Sequence, residues 1–156
     1  MEPVIIAVGS NMGDRLSYIQ KAGEFLENLS EGEIKKSSIW ESEPVGDAKY
    51  DFLNCAAKIE TSLSPEDLLV HLKDFERSCG REANPVRWGP RVVDLDLIGY
   101  GDLVIQREGL IIPHPEYSNR LFVLLPLQEI DSEWRDPKSH KSVEQLTDEA
   151  PRMDIT

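Results

Sequence analysis

Apolar residues recur along the chain with two spacings, one typical of strands and the other of helices. Strands are predicted by continuous or alternating apolar residues at 4–9, 34–41, 52–60, 92–100, 103–105 and 110–112. Helices are predicted by apolar residues three or four apart at 16–29, 64–80, 117–125 and 143–146. The leading order βαββαβ predicts an α+β fold, a ferredoxin-like antiparallel sheet with helices on one face. We expect an added hairpin, turning at 99–102, and short C-terminal helices.

The strand predicted at 52–60 has two different faces. Leu53, Cys55, Ala57 and Ile59 alternate with Phe52, Asn54, Ala56 and Lys58. Because successive side chains of a strand point to opposite faces, we expect the first set to face the helices. The opposite face of the sheet is then free to build a site.

The second helix has recognisable ends. Ser64 is a favoured N-cap, Pro65 suits the first helical position, and Gly80 ends the pattern. Its buried stripe is predicted to consist of Leu68, Leu72, Phe75 and Cys79.

Composition and charge predict one folded domain and argue against binding of duplex nucleic acid. The chain has 156 residues, 40% hydrophobic and 29% charged, which predicts a single domain covering residues 1–156. A net charge of −12 opposes DNA binding, which needs clustered Lys and Arg. Small anions remain possible ligands, because residues 77–91 contain four arginines and one acid, Glu82.

The N-terminus and the cysteines predict a cytoplasmic protein. The first apolar run covers only residues 4–8 and has no basic flank, so it predicts neither a signal peptide nor a membrane span. Cys55 and Cys79 are the only cysteines, and we expect two reduced, buried thiols. A cytoplasmic monomer without a membrane partner is the expectation.

Two aspartates on one predicted strand are suited to a metal. Asp94 and Asp96 are two residues apart and therefore point to the same side of the strand. In phosphoryl-transfer enzymes, Mg²⁺ is held by one or two carboxylates together with substrate phosphates. Taken alone, the pair is more simply explained as the solvated face of an exposed strand.

The residues upstream of the aspartates favour the metal site. Arg87, Trp88 and Arg91 precede the pair within nine residues. Arginine makes two-pronged contacts with phosphate, whereas a merely solubilising segment would more naturally mix Lys and Arg. The irregular stretch 81–90, which contains two prolines and a glycine, is typical of a binding loop. We therefore interpret residues 87–97 as a metal and phosphate site.

Three other side chains are candidates for ligand contacts. Phe52 offers a stacking surface, and Asn54 offers donor and acceptor atoms to the edge of a heterocycle. His114 lies between Pro113 and Pro115, which fix the backbone on both sides. Taken alone, Phe52 and Asn54 are more simply explained as ordinary sheet residues. For His114, a phosphate or nucleotide contact and a structural role are equally compatible.

Several motifs together resemble the 6-hydroxymethyl-7,8-dihydropterin pyrophosphokinases of folate biosynthesis. They are VGSN at 8–11, FLNCAA at 52–57, Glu76 with Arg81, RWGPRVVDLDL at 87–97 and PHPEYSNRLFVLLPLQEI at 113–130. The resemblance covers residues 4–130. It implies a ferredoxin-like domain that binds ATP and two Mg²⁺ ions and transfers pyrophosphate to the pterin's hydroxymethyl oxygen, releasing AMP.

The resemblance also implies a role for each candidate residue. The catalytic set is Arg81, Arg91, Asp94 and Asp96, with both aspartates as Mg²⁺ ligands. The pterin site comprises Ser42, Glu43, Val45, Phe52, Asn54, Trp88 and Phe122. The ATP site comprises Glu76, Arg87, Leu97, His114 and Arg120. No general base is assigned, because metal coordination makes Asp96 a poor one.

The departures from the usual family pattern lie mostly on the ATP side. They are Ala83, Gly109, Ile111 and Pro115. In addition, Glu43 stands where a proline is frequent beside the pterin. ATP affinity and the rigidity of the pterin loop are the properties that these positions put in question.

Two other functions fit parts of the pattern. A polymerase-palm-like nucleotidyl transferase or cyclase also places two aspartates on a ferredoxin-like sheet, where they bind two metals. A ferredoxin-like regulatory module that binds a small ligand would not need Asp94 and Asp96. The products formed from ATP, and the effect of replacing the aspartates, distinguish these functions.

Overall fold

The computed structural model describes residues 1–43, 51–80 and 92–156. The strands are β1 (Glu2–Ser10), β2 (Lys35–Lys36), β3 (Trp40–Ser42), β4 (Phe52–Thr61), β5 (Asp94–Tyr100), β6 (Ile105–Arg107) and β7 (Leu110–Ile112). The helices are α1 (Arg15–Leu29), α2 (Pro65–Gly80), α3 (Leu121–Ile130) and α4 (Val143–Glu149), with a 3₁₀ helix at Tyr117–Asn119. None of the described helices is long and apolar enough to cross a bilayer.

The main sheet is antiparallel and has β1 at its centre. β1 pairs with β4 on one side and β5 on the other, and β2 and β3 both pair with the far edge of β4. The fold is α+β and ferredoxin-like, as predicted.

One face of the sheet is covered by α1 and α2. Val4, Ile6 and Val8 of β1 pack with buried residues of both helices. The rings of Phe25 and Phe75 stack at 4.5 Å and join the two helices. The hydroxyl of Ser64 accepts a hydrogen bond from the Asp67 N–H (3.1 Å), which confirms the predicted N-cap of α2.

The second face of the sheet is partly covered, in contrast to the expectation that it is free. Ile5, Ala7 and Ile98 pack against buried residues of α3 and α4. α3 is apolar over most of its length, and this composition favours burial. A site on this face can therefore form only beyond these helices, toward Gly9 and Asp94.

Some local predictions were wrong. β6 pairs with β7 as a separate hairpin, whereas residues 103–105 were expected to turn back from the strand at 92–100. The predicted strand at 34–41 is divided into β2 and β3. The first turn at 117–119 is a 3₁₀ helix, and α3 begins only at Leu121.

Side-chain burial also differs from the prediction at four positions. Phe75, predicted to lie in the buried stripe of α2, is only partly buried. Leu16 is 48% exposed rather than part of the apolar face of α1. Cys55 and Cys79 are free thiols but only partly buried. Burial raises the pKa of Cys55 to about 11, which keeps this thiol protonated at neutral pH.

Candidate active site

The register of the three central strands brings the predicted site residues together. Gly9 of β1 lies opposite Asn54 of β4 and Asp94 of β5. One row further, Ala7 lies opposite Ala56 and Asp96. Because neighbouring strands are about 4.8 Å apart, Asn54 and Asp94 flank Gly9 across roughly 10 Å. The missing side chain of Gly9 leaves the space between them open.

A cavity of about 480 Å³ lies over this part of the sheet. Its lining includes Ala7, Gly9, Phe52, Asn54, Asp94, Asp96, Arg120 and Phe122. Its size and its mixture of aromatic, amide and charged groups are typical of a site for a small molecule. The cavity therefore combines the predicted metal ligands with three of the predicted pterin contacts, Phe52, Asn54 and Phe122.

The side chain of Asn54 is held in one orientation. Its amide nitrogen donates to Ser42 Oγ (2.9 Å) and to the Trp40 carbonyl (3.3 Å). Its Oδ1 lies 3.7 Å from the position that a Cβ of Gly9 would occupy. Both Asn54 and Ser42 are at most 2% exposed. The donor side of the amide is thus used within the protein, and the oxygen is the atom nearer to the cavity floor.

Phe122 and Arg120 enter the cavity from the start of α3. The guanidinium carbon of Arg120 lies 5.7 Å from the centre of the Phe122 ring. Phe122 also packs against the buried residues beneath α3 and α4. Phe52 lines the same cavity from β4, so the two aromatic residues required to stack on a flat ring are present.

Asp94 and Asp96 are half-buried at the beginning of β5. In the described part of the chain, no group of three or more His, Cys, Asp or Glu side chains could hold a metal ion. Two carboxylates alone suit Mg²⁺, which keeps several waters and takes further oxygen ligands from phosphates. The donor set therefore fits Mg²⁺ better than a metal with a complete protein cage.

His114 is near this site but lines a different cavity. Its Nδ1 accepts a hydrogen bond from the Glu116 N–H (3.1 Å). Burial lowers the pKa of His114, an effect that the charge of Asp96 opposes and the charge of Arg120 reinforces. His114 lines a neighbouring cavity of about 620 Å³, which lies against the β6–β7 hairpin and includes neither Asp94 nor Asp96. The predicted ATP residues are thus spread over more than one cavity.

Glu76 and Leu97, both predicted to line the ATP site, lie on the helix side of β5. Glu76 is 7% exposed, and its Oε2 accepts a hydrogen bond from the Leu95 N–H (2.6 Å). Its Oε1 pairs with Lys73 Nζ at 3.2 Å. Leu97 is 6% exposed in the core beneath α1 and α2. Glu76 thus holds the backbone of the aspartate-bearing strand in place.

Ser10 fixes the beginning of the segment that carries the aspartates. It is 1% exposed, and its hydroxyl donates to the Val92 carbonyl (2.5 Å). This hydrogen bond joins the end of β1 to the residues just before β5. Its signal in the sequence is the VGSN motif, which alone does not indicate the partner.

The other predicted residues have different outcomes. Val45, Arg81, Arg87, Trp88 and Arg91 lie outside the described residues. Ser42 is buried beneath Asn54, whereas Glu43 is exposed at the end of β3. The sequence did not indicate the cavity residues Asn119, Pro151, Arg152 and Met153. No periodic pattern marks the segment 150–156, so nothing connected it with the site.

The chain is similar in sequence to one family of pyrophosphokinases and to individual enzymes of that kind. Residues 5–132 match the 7,8-dihydro-6-hydroxymethylpterin-pyrophosphokinase family. The chain is 46% identical over 127 residues to a 2-amino-4-hydroxy-6-hydroxymethyldihydropteridine pyrophosphokinase of Bacillus subtilis, covering 80% of this chain and 75% of the relative. It is 40% identical over 150 residues to the enzyme of the same name from Aquifex aeolicus, covering 96% and 92%.

Other relatives are longer. The bifunctional protein FolKE of Lactococcus lactis is 42% identical over 146 residues, covering 92% of this chain but 41% of the relative. A Plasmodium falciparum HPPK-DHPS crystal structure with pteroate has a TM-score of 0.73 at 13% identity, covering 94% of this chain and 43% of that one. This likeness shows the fold. The chain spans less than half of these two proteins.

Proposed function

Because the chain belongs to the 7,8-dihydro-6-hydroxymethylpterin-pyrophosphokinase family, we propose that it transfers pyrophosphate from ATP to 6-hydroxymethyl-7,8-dihydropterin in folate biosynthesis. The hydroxymethyl oxygen attacks the β-phosphorus of ATP, and the bond to the α,β-bridging oxygen breaks. AMP leaves, and the hydroxyl proton passes to solvent. The observation that carries the proposal is the single cavity that joins Asp94 and Asp96 to Phe52, Asn54 and Phe122.

The aromatic end of the cavity is suited to the pterin. Phe52 and Phe122 provide apolar surfaces for a flat ring, and ring stacking adds about 1 kcal/mol to the burial of area. The Oδ1 of Asn54 accepts a hydrogen bond from the amino group or a ring N–H of the pterin. Because Ser42 and the Trp40 carbonyl hold the amide, its orientation is set before the ligand arrives. We assign Ser42, Glu43, Val45 and Trp88 to the surroundings of this ring.

The carboxylate end is suited to Mg²⁺ and the reacting phosphates. Asp94 and Asp96 supply oxygen ligands for Mg²⁺, and two ions are proposed. When bound, the metal neutralises phosphate charge and orients the groups for in-line transfer. Since such transfer depends mainly on positioning and electrostatics, no covalent role for a side chain is required.

ATP is the proposed donor of the pyrophosphate group. Its binding site is less completely defined than the pterin site. Arg120 lines the aspartate cavity, and His114 lies beside it. Glu76 and Leu97 are assigned to the nucleotide site through β5, whose backbone Glu76 supports. Arg81, Arg87 and Arg91 are proposed to bind phosphates, with Arg81 and Arg91 in the catalytic set.

The proposal extends to the organisation of the protein. Residues 1–156 act as one domain, and a net charge of −12 opposes self-association of a monomer. We place the reaction in the cytoplasm, in keeping with the two free thiols.

The test is acceptor dependence of ATP turnover. The protein is incubated with ATP and Mg²⁺, with and without 6-hydroxymethyl-7,8-dihydropterin, and the nucleotides are separated by chromatography. We expect AMP and pterin diphosphate in equal amounts only when the pterin is present. Cyclic nucleotide or polymeric product would favour a palm-like transferase, and pterin binding without turnover would favour a regulatory module.

A further inference from the structure

Residues 151–156 lie beside the candidate site, and residues 154–156 pair with β3 at the edge of the main sheet. The Glu41 N–H donates to the Thr156 carbonyl (2.8 Å), and the Thr156 N–H donates to the Glu41 carbonyl (2.9 Å). The Glu43 N–H donates to the Asp154 carbonyl (3.0 Å), with Ser42 opposite Ile155 in antiparallel register. This segment is therefore bound to β3, the strand beneath Asn54.

The beginning of the same segment is a wall of the cavity. Pro151, Arg152 and Met153 line it together with the aspartates and both phenylalanines. Met153 also packs against the buried residues beneath α3 and α4. Arg152 is thus placed by a packed neighbour on its C-terminal side and by the strand pairing beyond it.

The charges that line the cavity indicate what Arg152 meets there. The lining contains two carboxylates, Asp94 and Asp96, and two guanidinium groups, Arg120 and Arg152. Within residues 1–43, 51–80 and 92–156, Arg152 makes no hydrogen bond or ion pair. If Asp94 and Asp96 hold Mg²⁺, the guanidinium groups of Arg120 and Arg152 would remain on the cavity lining as positive groups for an anionic ligand. A neutral pterin has no charge to pair with them, whereas phosphoryl oxygens do.

We propose that Arg152 binds the phosphoryl oxygens of the pyrophosphate group that is passed to the acceptor. The identity of the acceptor rests on the proposed function, but the recognition of a diphosphate by Arg152 does not. The pairing of residues 154–156 with β3 positions the segment that carries the guanidinium.

Binding of charged and neutral ligands tests this role. Titration calorimetry with excess Mg²⁺ is carried out with inorganic pyrophosphate, 6-hydroxymethylpterin and its diphosphate. We expect Arg152→Ala to weaken binding of pyrophosphate and of the pterin diphosphate about tenfold, the loss of roughly one charge-assisted hydrogen bond. Binding of the neutral pterin changes less than about twofold, because no charge is involved.

Two further variants separate charge from structure. Arg152→Lys keeps the charge and is expected to recover most of the affinity. Arg107→Ala is the matched control, because Arg107 is exposed on β6 and pairs with Glu66. The Arg152→Ala effect also decreases as salt is added.

The outcomes are separable from those of the proposed function. If pyrophosphate binds wild type and Arg152→Ala equally, or binds neither, the proposal for Arg152 is wrong. If Arg152→Ala lost affinity equally for the neutral pterin and for the pterin diphosphate, residues 151–153 would have only a structural role. That result would also contradict the proposal for Arg152. Failure of the wild type to bind any pterin contradicts the proposed function instead, and Arg152 is then judged on pyrophosphate alone.

Discussion

At the scale of single residues, Asn54 connects the fold to ligand recognition. Replacing Asn54 by Ala removes the proposed acceptor for the pterin edge and a buried hydrogen bond to Ser42. We expect the KM for the pterin to rise about tenfold with little change in the KM for ATP, and the free energy of unfolding to fall by about 1 kcal/mol. Steady-state kinetics and urea unfolding measure both effects.

The matched control for Asn54 lies on the same strand. Thr61 is fully buried at the other end of β4, and its hydroxyl accepts from the Leu63 N–H (3.0 Å). Thr61→Ala is expected to lower stability by a similar amount and leave both KM values unchanged. If the two variants raised the pterin KM equally, Asn54 would be a structural residue only.

Gly9 tests whether the open floor of the cavity is used. A Cβ at this position would lie 3.7 Å from Asn54 Oδ1 and 3.9 Å from Phe52, which is ordinary contact, so Gly9→Ala should be tolerated. Gly9→Val adds two methyl groups beside the proposed pterin position. We expect the valine variant to raise the pterin KM at least about tenfold and to change stability by less than about 1 kcal/mol.

Equal pterin KM values for the Ala and Val variants would show that the ligand does not approach Gly9. The KM for ATP serves as the internal reference in each variant. Thermal unfolding of each variant checks that a change in the pterin KM is not caused by loss of the folded structure.

At the scale of elements, Asp136 joins the 3₁₀ helix to the loop that follows α3. Its carboxylate accepts the Tyr117 hydroxyl and the backbone N–H groups of Lys138 (2.7 Å) and Ser139 (2.9 Å). Burial pushes the pKa of Asp136 up, but these hydrogen bonds outweigh burial and the pKa is lowered. Because Tyr117 lies between His114 and Arg120, this contact supports the segment that carries both.

The lowered pKa gives this contact a defined pH dependence. Near pH 4 the unfolded chain binds more protons at this aspartate than the folded protein does, so the stabilisation is complete above the unfolded pKa. It is lost as the pH falls through the lower, folded value. We expect Asp136→Asn to cost about 2 kcal/mol of unfolding free energy at pH 7, and the difference from wild type to shrink below about pH 4.

Urea unfolding of the wild type and of Asp136→Asn at pH 7, 5 and 3.5 measures this dependence. Tyr117→Phe removes only one of the donors and is expected to cost about 1 kcal/mol at pH 7. A constant difference between the wild type and Asp136→Asn at all three pH values would contradict the assigned role.

Elements differ in how well their sequences predict them. α2 was predicted by its cap, and the two faces of β4 by strict alternation, because local chemistry specifies both. The division of the strand at 34–41 into β2 and β3 could not be predicted, because it depends on how both strands pair with β4. The β6–β7 hairpin could not be placed either, because its strands pair with each other and not with the main sheet. α3 shows the same limit: its composition indicates burial, but not which face of the sheet it covers.

At the scale of the whole molecule, the two faces of one sheet are covered by two separate cores. The candidate site lies where the second face, beside α3, is not covered. The period of two predicted that Asp94 and Asp96 point to one side of their strand and that Phe52 and Asn54 point to one side of theirs. The register brings both pairs to one cavity. The role of Arg152 could not be predicted, because it depends on residues 154–156 returning to β3. Contacts between distant segments are therefore what the sequence alone left undetermined.

AMP formation by Asp96 variants most directly tests whether the carboxylates of β5 hold the metal that takes part in pyrophosphate transfer. With ATP, Mg²⁺ and 6-hydroxymethyl-7,8-dihydropterin, we expect Asp96→Ala to lower the rate about a thousandfold, because a metal ligand next to the transferred group is lost. Asp102→Asn, an exposed acid in the turn after β5, should leave the rate unchanged. Near-normal activity of Asp96→Ala, with circular dichroism showing that it is folded, would contradict the proposed role of Asp96 as a metal ligand.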